Sequence, residues 1–307
     1  MREIKKVVVG VDGSPHCRAA LREAARIAIA YGAQLHVIQV VTADLIEHLR
    51  EADLAPTNAI LAEIRGGLHG FVRSHLGKDL PAEMLRLEVI VGHPFEEIAG
   101  MTEETGAELL VLGAQGWHED ARRTGMTAKK CVRHAGCPVL LVRKEHGEGY
   151  RRIGACVDFS EAAARALSTA ADLAHHEGAT LDVVHVHYPP WLSPVSVEYN
   201  LRQTVSEDYR KQYLDLLRDR MEEWIEPVRR AVPSVPLTPH ILEHTNVVYG
   251  LTQFLRDHDI DLAAVGTHGG RGLRPALLGT TAERLLHTSP CSVLMTPPRE
   301  EAAPESG

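Results

Sequence analysis

Ala263-Ala264-Val265-Gly266-Thr267-His268-Gly269-Gly270, followed further on by Gly279-Thr280-Thr281, is the stretch that decides how the rest of this chain is read. The apolar run predicts a short buried strand ending in a glycine loop. Nine residues separate Gly269 from Gly279, where Gly-Thr-Thr opens a helix whose apolar positions are Ala282, Leu285 and Leu286. Strand, loop and helix start together make a cradle for phosphate. Gly266 and Gly269 let backbone N–H groups approach an anion with no Cβ in the way, and the helix start presents unpaired N–H donors at the positive end of its dipole. The hydroxyls of Thr280 and Thr281 add further donors.

Working outward, the chain begins with the apolar run Val7-Val8-Val9-Gly10-Val11, closed by Asp12-Gly13-Ser14, a turn and helix-cap signal. A helix with Ala20, Leu21, Ala24, Ile27 and Ala28 on one face follows, Gly32 stops it, and the strand Leu35 to Val41 comes next. Shifted by 146 residues the same text returns: Asp158 for Asp12, Ser160 for Ser14, Leu167 for Leu21, Gly178 for Gly32, Val183 for Val37. This is an internal duplication. Glu108 to Gly116 stands where Asp261 to Gly269 does in the second copy, so each copy carries its own strand and glycine loop.

Between these landmarks the first copy has a helical stretch (Ile60, Ile64, Leu68, Phe71, Val72, Leu76), a strand Leu87 to Val91, a helix from Pro94 and a last strand Pro138 to Val142. In the second, Pro189-Pro190-Trp191 opens a longer excursion before a helix with Tyr209, Tyr213, Leu216, Leu217, Trp224 and Val228 at helical spacing. Strands alternating with helices call for a parallel sheet covered on both faces. The expected fold is α/β: two tandem domains, each a five-stranded parallel open sheet with helices on both faces. The polar, glycine-containing run Arg143 to Arg152 reads as the linker, giving domains 1–146 and 150–298, with a disordered acidic tail over 299–307.

The spacing Gly266-x-x-Gly269, nine residues, Gly279-Thr280 resembles the G-2x-G-9x-G-(S/T) signature of the nucleotide-binding universal stress proteins. The flanks Thr281-Ala282-Glu283-Arg284 and Pro290-Cys291-Ser292-Val293-Leu294 are similar to that family too, and the duplication matches its tandem type. The resemblance implies ATP, ADP or AMP as cofactor. It implies Asp158 beside the adenosine, Gly266 and Gly269 under the ribose and phosphates, and Gly279, Thr280 and Thr281 on the phosphate oxygens. It also implies an intramolecular pair of domains related by a pseudo-twofold, with the edges Val139 to Val142 and Val293 to Met295 meeting, and it leaves room for a homodimer of whole chains. His187 stands where the first copy has Val41, at a position that in the family is apolar and touches the base.

The first copy departs from the signature. Only eight residues separate Gly116 from Gly125, Met126 follows where a hydroxyl is wanted, and the bulky Trp117 stands for Gly270. A shortened loop is expected to misplace the N–H donors, and the first site is read as degenerate.

With 33 basic and 41 acidic residues the net charge is −8, which argues against nucleic acid or an anionic membrane as partner. No apolar run approaches the ~20 residues of a membrane span, and Met1-Arg2-Glu3-Ile4-Lys5-Lys6 lacks the apolar core of a signal peptide, so a cytoplasmic location is expected. Five cysteines with no CxxC pair indicate neither a disulfide framework nor a cysteine zinc site. His185 with His187, and His240 with His244, are spaced to share strand faces, but a zinc site needs a third converging ligand that spacing alone does not show, and no metal is assigned.

No catalytic residue is assigned either. There is no GxSxG elbow, no HExxH and no Walker lysine. The reading is a stress-response protein that binds an adenine nucleotide in its second domain and acts as a nucleotide-dependent sensor or regulator. Two rivals are a slow ATPase or nucleotide hydrolase using His268 and Asp158, and a scaffold that takes a partner or apolar ligand through its first domain.

Overall fold

The computed structural model describes residues 4–51, 56–76, 80–115, 124–147, 149–189, 191, 206–268 and 278–298. Gly269, Trp117 and the acidic tail from 299 lie outside them. The chain forms two compact bodies, one built from the first copy together with Ser292 onward, the other from Tyr150–Cys291.

In the first body the strands are β1 (Lys6–Val11), β2 (Gln34–Val41), β3 (Leu85–Val91), β4 (Leu109–Gly113) and β5 (Val139–Val142). They pair in parallel in the order β3-β2-β1-β4-β5. Interleaved are α1 (Pro15–Tyr31), α2 (Ala43–Glu51), α3 (Thr57–Leu76), α4 (Pro94–Thr105) and α5 (Met126–His134). The central strands are buried on both faces, as their unbroken Val and Leu runs require: Val7, Val8, Val9, Leu110 and Val111 are fully enclosed.

The second body repeats the plan with β6 (Arg152–Cys156), α6 (Glu161–Glu177), β7 (Thr180–His187), α7 (Glu207–Ala231), β8 (Leu237–Glu243), α8 (Val247–Asp257), β9 (Leu262–Gly266) and α9 (Thr280–Thr288). Its parallel order is β9-β6-β7-β8. The last strand of the second copy, β10 (Ser292–Thr296), runs antiparallel to β5 in the first body, with Leu294 opposite Leu140 and Met295 opposite Val139. The edge meeting expected from the sequence is therefore present. Pairing with β5 covers an apolar edge that would otherwise be left open.

The duplication is repeated bond for bond at the helix that follows the first strand of each copy. Asp12 accepts from the Ser14 amide at 2.9 Å and Ser14 caps α1 by accepting from the Cys17 amide at 3.2 Å. Asp158 accepts from the Ser160 amide at 3.0 Å and Ser160 caps α6 by accepting from the Ala163 amide at 3.2 Å. Both helices end on a left-handed glycine, Gly32 at φ 64° and Gly178 at φ 65°. These caps fix where each helix starts relative to the carboxyl ends of the strands, where an open parallel sheet holds ligands.

Candidate functional site

At the carboxyl ends of β6, β7 and β9 lies a cavity of about 510 Å³. Asp158, Gly266, Gly279, Thr280 and Thr281 all line it, so five of the six residues singled out in the sequence face one space. Around them stand His185, His268 and Cys156, with Val157, Val186, Val247, Leu251 and Val265 giving an apolar wall. Polar groups and apolar side chains lining one cavity suit a ligand with one charged and one aromatic part.

The helix start is built by backbone. The Gly279 amide donates to the Thr267 carbonyl at 2.8 Å, and the Glu283 amide closes the first turn of α9 on the Gly279 carbonyl at 2.8 Å. Gly279 offers no side chain to cap the helix, so no side-chain acceptor from the cap itself occupies the first-turn donors. Its φ of −61° and ψ of 143° are open to any residue.

The glycine at 266 also answers a packing demand. A Cβ there would lie 2.7 Å from the Ala162 carbonyl carbon and 2.8 Å from the Ala163 nitrogen, because β9 abuts the start of α6. That contact brings the Asp158 turn and the loop after β9 to the same cavity.

Asp158 is exposed, with one carboxylate oxygen engaged in its turn. The next residue, Phe159, has φ 62°, the left-handed conformation that Gly13 supplies in the first copy at φ 78°. Its ring is held by three neighbours: His185 at 4.5 Å, Trp224 of α7 at 5.6 Å edge-on, and the Arg220 guanidinium 4.4 Å above it.

His185 is a cavity residue that the sequence reading did not assign. Its Nδ1 donates to the Val157 carbonyl at 2.8 Å. Burial pushes its pKa below the ordinary value, the bond to Val157 and the charge of Asp158 oppose this, and Arg220 adds to the lowering. His187, two residues on, is not among the lining residues; its ring packs against Trp191 and Tyr213 instead. Of the two histidines at this strand end it is His185, not His187, that lines the cavity. The signal was its place two residues before the strand end, beside Val157.

His268 lines the cavity with its Nδ1 2.9 Å from the Thr267 hydroxyl. Elsewhere, His240 bonds Asp182 at 2.7 Å and His244 accepts from the Asn246 amide at 2.8 Å. Among the described residues, no group of three or more His, Cys, Asp or Glu side chains is placed to hold a metal ion.

The corresponding cavity of the first body measures about 260 Å³ and is lined by residues that include Gly10, Asp12, Cys17, Gly113, Gly125, Met126 and Thr127. Residues 116–123 of the shortened loop lie outside the described residues, but the helix start that follows them is anchored as in the second body. The Gly125 amide donates to the Ala114 carbonyl at 2.9 Å and the Lys129 amide to the Gly125 carbonyl at 2.9 Å, the same two bonds that anchor α9. The anchor needs only the two residues it joins, so the loop between them can shorten without moving it.

With the geometry in place, comparison with known proteins is direct. The Universal stress protein family model matches residues 3–143 and again residues 149–297. The chain belongs to the universal stress protein family. Among universal stress proteins, one from Mycobacterium tuberculosis strain H37Rv is 27% identical over 299 residues, covering 94% of this chain and 96% of its own. Universal stress protein A homolog 1 of Coxiella burnetii is 33% identical over 150 residues, 47% of this chain and 94% of its own. The crystal structure of a universal stress protein from Archaeoglobus fulgidus DSM 4304 matches with a TM-score of 0.62 at 16% identity, covering 96% of this chain and 98% of that one, which establishes the shared fold. Among the described residues, no helix of this universal stress protein is long and apolar enough to cross a membrane.

Proposed function

We propose that this universal stress protein binds an adenine nucleotide, ATP foremost, in the cavity of its second copy, and acts in the cytoplasm as a nucleotide-dependent sensor or regulator. The functional unit is the second domain, 150–298. One observation carries the reading: Asp158 and the Gly279-Thr280-Thr281 helix start line the same cavity of about 510 Å³, at the carboxyl ends of the parallel strands. The amide groups at the start of α9 and the Thr280 and Thr281 hydroxyls would take the phosphate oxygens. The apolar wall of Val186, Val247, Leu251 and Val265 would take the base. Gly269 belongs to the proposed set through its place in the signature.

The test is to denature freshly purified protein, identify any released nucleotide by chromatography and mass, and titrate the emptied protein with ATP by calorimetry. An adenine nucleotide at up to one per second domain is expected. Absence of released nucleotide together with no heat of ATP binding would overturn the reading.

His268 supports a second reading, slow hydrolysis, because it is an imidazole in the wall of the same cavity. Turnover that disappears in His268→Ala while ATP still binds would establish it.

A further inference from the structure

We infer that His185 selects the base, accepting a hydrogen bond through Nε2 from the exocyclic amine of adenine and rejecting a 6-oxo purine. The inference rests on the proposed nucleotide site and names what distinguishes its ligand. The His185 ring is held in one tautomer. A carbonyl can only accept, so the 2.8 Å contact between His185 Nδ1 and the Val157 oxygen puts the ring proton on Nδ1. In the neutral ring Nε2 is then an acceptor. The ring cannot easily turn to reverse the roles, since Phe159 packs on it at 4.5 Å and Phe159 is itself held by Arg220 and Trp224.

His185 lines the same cavity as Asp158 and the apolar residues Val186, Val247 and Leu251, and it sits at the carboxyl end of β7, bonded to Val157, the residue before Asp158. With Nδ1 engaged by the backbone, Nε2 is the polar atom the ring has left for a ligand. Burial, the largest influence on this ring, favours its neutral form and Arg220 adds to it, while the bond to Val157 and the charge of Asp158 work against it. An acceptor facing the purine 6-position forms a bond with an amine and opposes a carbonyl. The first copy has Gln39 at the equivalent place in β2, opposite Val11, and Gln39 is not among the residues lining the smaller cavity. The selecting group is therefore a feature of the second copy alone.

Three triphosphates separate the terms: ATP with a 6-amine, purine riboside triphosphate with hydrogen there, and inosine triphosphate with a 6-oxo group. The full chain is expected to bind them in that order, with ATP preferred to inosine triphosphate by about ten-fold or more. In His185→Phe the three affinities should converge, chiefly because ATP weakens. His185→Gln, whose amide can either donate or accept, should narrow the ratio in the same direction and decides the matter alone if the phenylalanine variant fails to fold. A ratio unchanged in either folded variant, or equal binding of ATP and inosine triphosphate by the unaltered chain, overturns the role of His185 and leaves the nucleotide site standing. Failure of the unaltered chain to bind any of the three overturns both.

Discussion

The Gly279 amide donates to the Thr267 carbonyl over 2.8 Å, and this one bond sets the start of α9 at the edge of the cavity. Gly279 has φ −61° and ψ 143°, values that aspartate adopts without strain. Aspartate is also among the best helix caps, better than glycine by only a few tenths of a kcal/mol. Gly279→Asp should therefore fold with unchanged or slightly raised stability. Its carboxylate would take the first-turn donors for itself and repel phosphate, and losing two charge-assisted hydrogen bonds of about 1.5–3 kcal/mol each lowers affinity by roughly two to four orders of magnitude. Urea unfolding and calorimetry on the same sample check both halves. Intact ATP affinity in a folded Gly279→Asp protein would refute the proposed phosphate position.

Gly266 and Gly113 occupy equivalent strand ends but tolerate a methyl group differently. At Gly266 a Cβ meets the α6 backbone at 2.7 and 2.8 Å, whereas at Gly113 the nearest atoms, of His16, are 3.2 Å away. Backbone at a capped helix start yields poorly, so Gly266→Ala should cost about 1–3 kcal/mol and Gly113→Ala distinctly less. Denaturant midpoints of the two single variants give the order directly, and equal losses would show that the close approach is not what selects glycine at 266.

Much of this was legible in the sequence, and the parts that were not share a cause. The strand runs around Val7 to Val11 and Ala263 to Gly266, the caps Ser14 and Ser160, and the glycine stops Gly32 and Gly178 are local signals, and each fixed a local structure. What escaped depends on neighbours distant in the chain. The helix α2 carries only Ile46 as a buried residue, packed with Val41 and Ile60, too little apolar repetition to announce itself. His185 became a cavity residue through the backbone oxygen of Val157, and Phe159 can occupy a glycine's conformation because α7 brings Trp224 and Arg220 to its ring. The reason for Gly266 likewise lies in α6, about a hundred positions earlier in the chain.

Asp182 gives the second body an acid-sensitive tie. It is 4% exposed and bonded to Arg152 at 3.1 Å and His240 at 2.7 Å. Burial alone would raise its pKa, but the bonds and charges of His240 and Arg152 outweigh it, so the carboxyl sits below its ordinary 3.8. The unfolded chain therefore takes up the proton first as pH falls. The tie contributes in full above that ordinary, unfolded value and is lost as pH drops through the lower folded one. Asp182→Asn should cost about 1.5–3 kcal/mol at pH 7, and the gap between variant and parent should close toward pH 3 in urea titrations. A gap independent of pH would mean that Asp182 acts by packing alone. At the same sheet positions the first copy has Lys6, His36 and Glu88, with acid and imidazole exchanged, so this sensitivity is not duplicated.

Occupancy should be unequal between the two copies. Both retain the backbone anchor of the cradle helix, Gly279 on Thr267 and Gly125 on Ala114. What it has lost is the first hydroxyl: Met126, 64% exposed, stands for Thr280, while Thr127 keeps the place of Thr281. One charge-assisted bond of about 1.5–3 kcal/mol corresponds to roughly ten- to a hundred-fold in affinity. Space adds to this, since pockets for ligands of this size run from about 300 to 1,000 Å³; the first cavity, at about 260 Å³, falls short and the second, at about 510 Å³, does not. Titrating the full chain with ATP should therefore fill one site per chain before any second site is detected. Met126→Thr should strengthen any second event without moving the first, and Gly279→Asp should remove the first event only. Two equal sites in the unaltered chain, or a first event that survives Gly279→Asp, would place the principal nucleotide site outside the second copy.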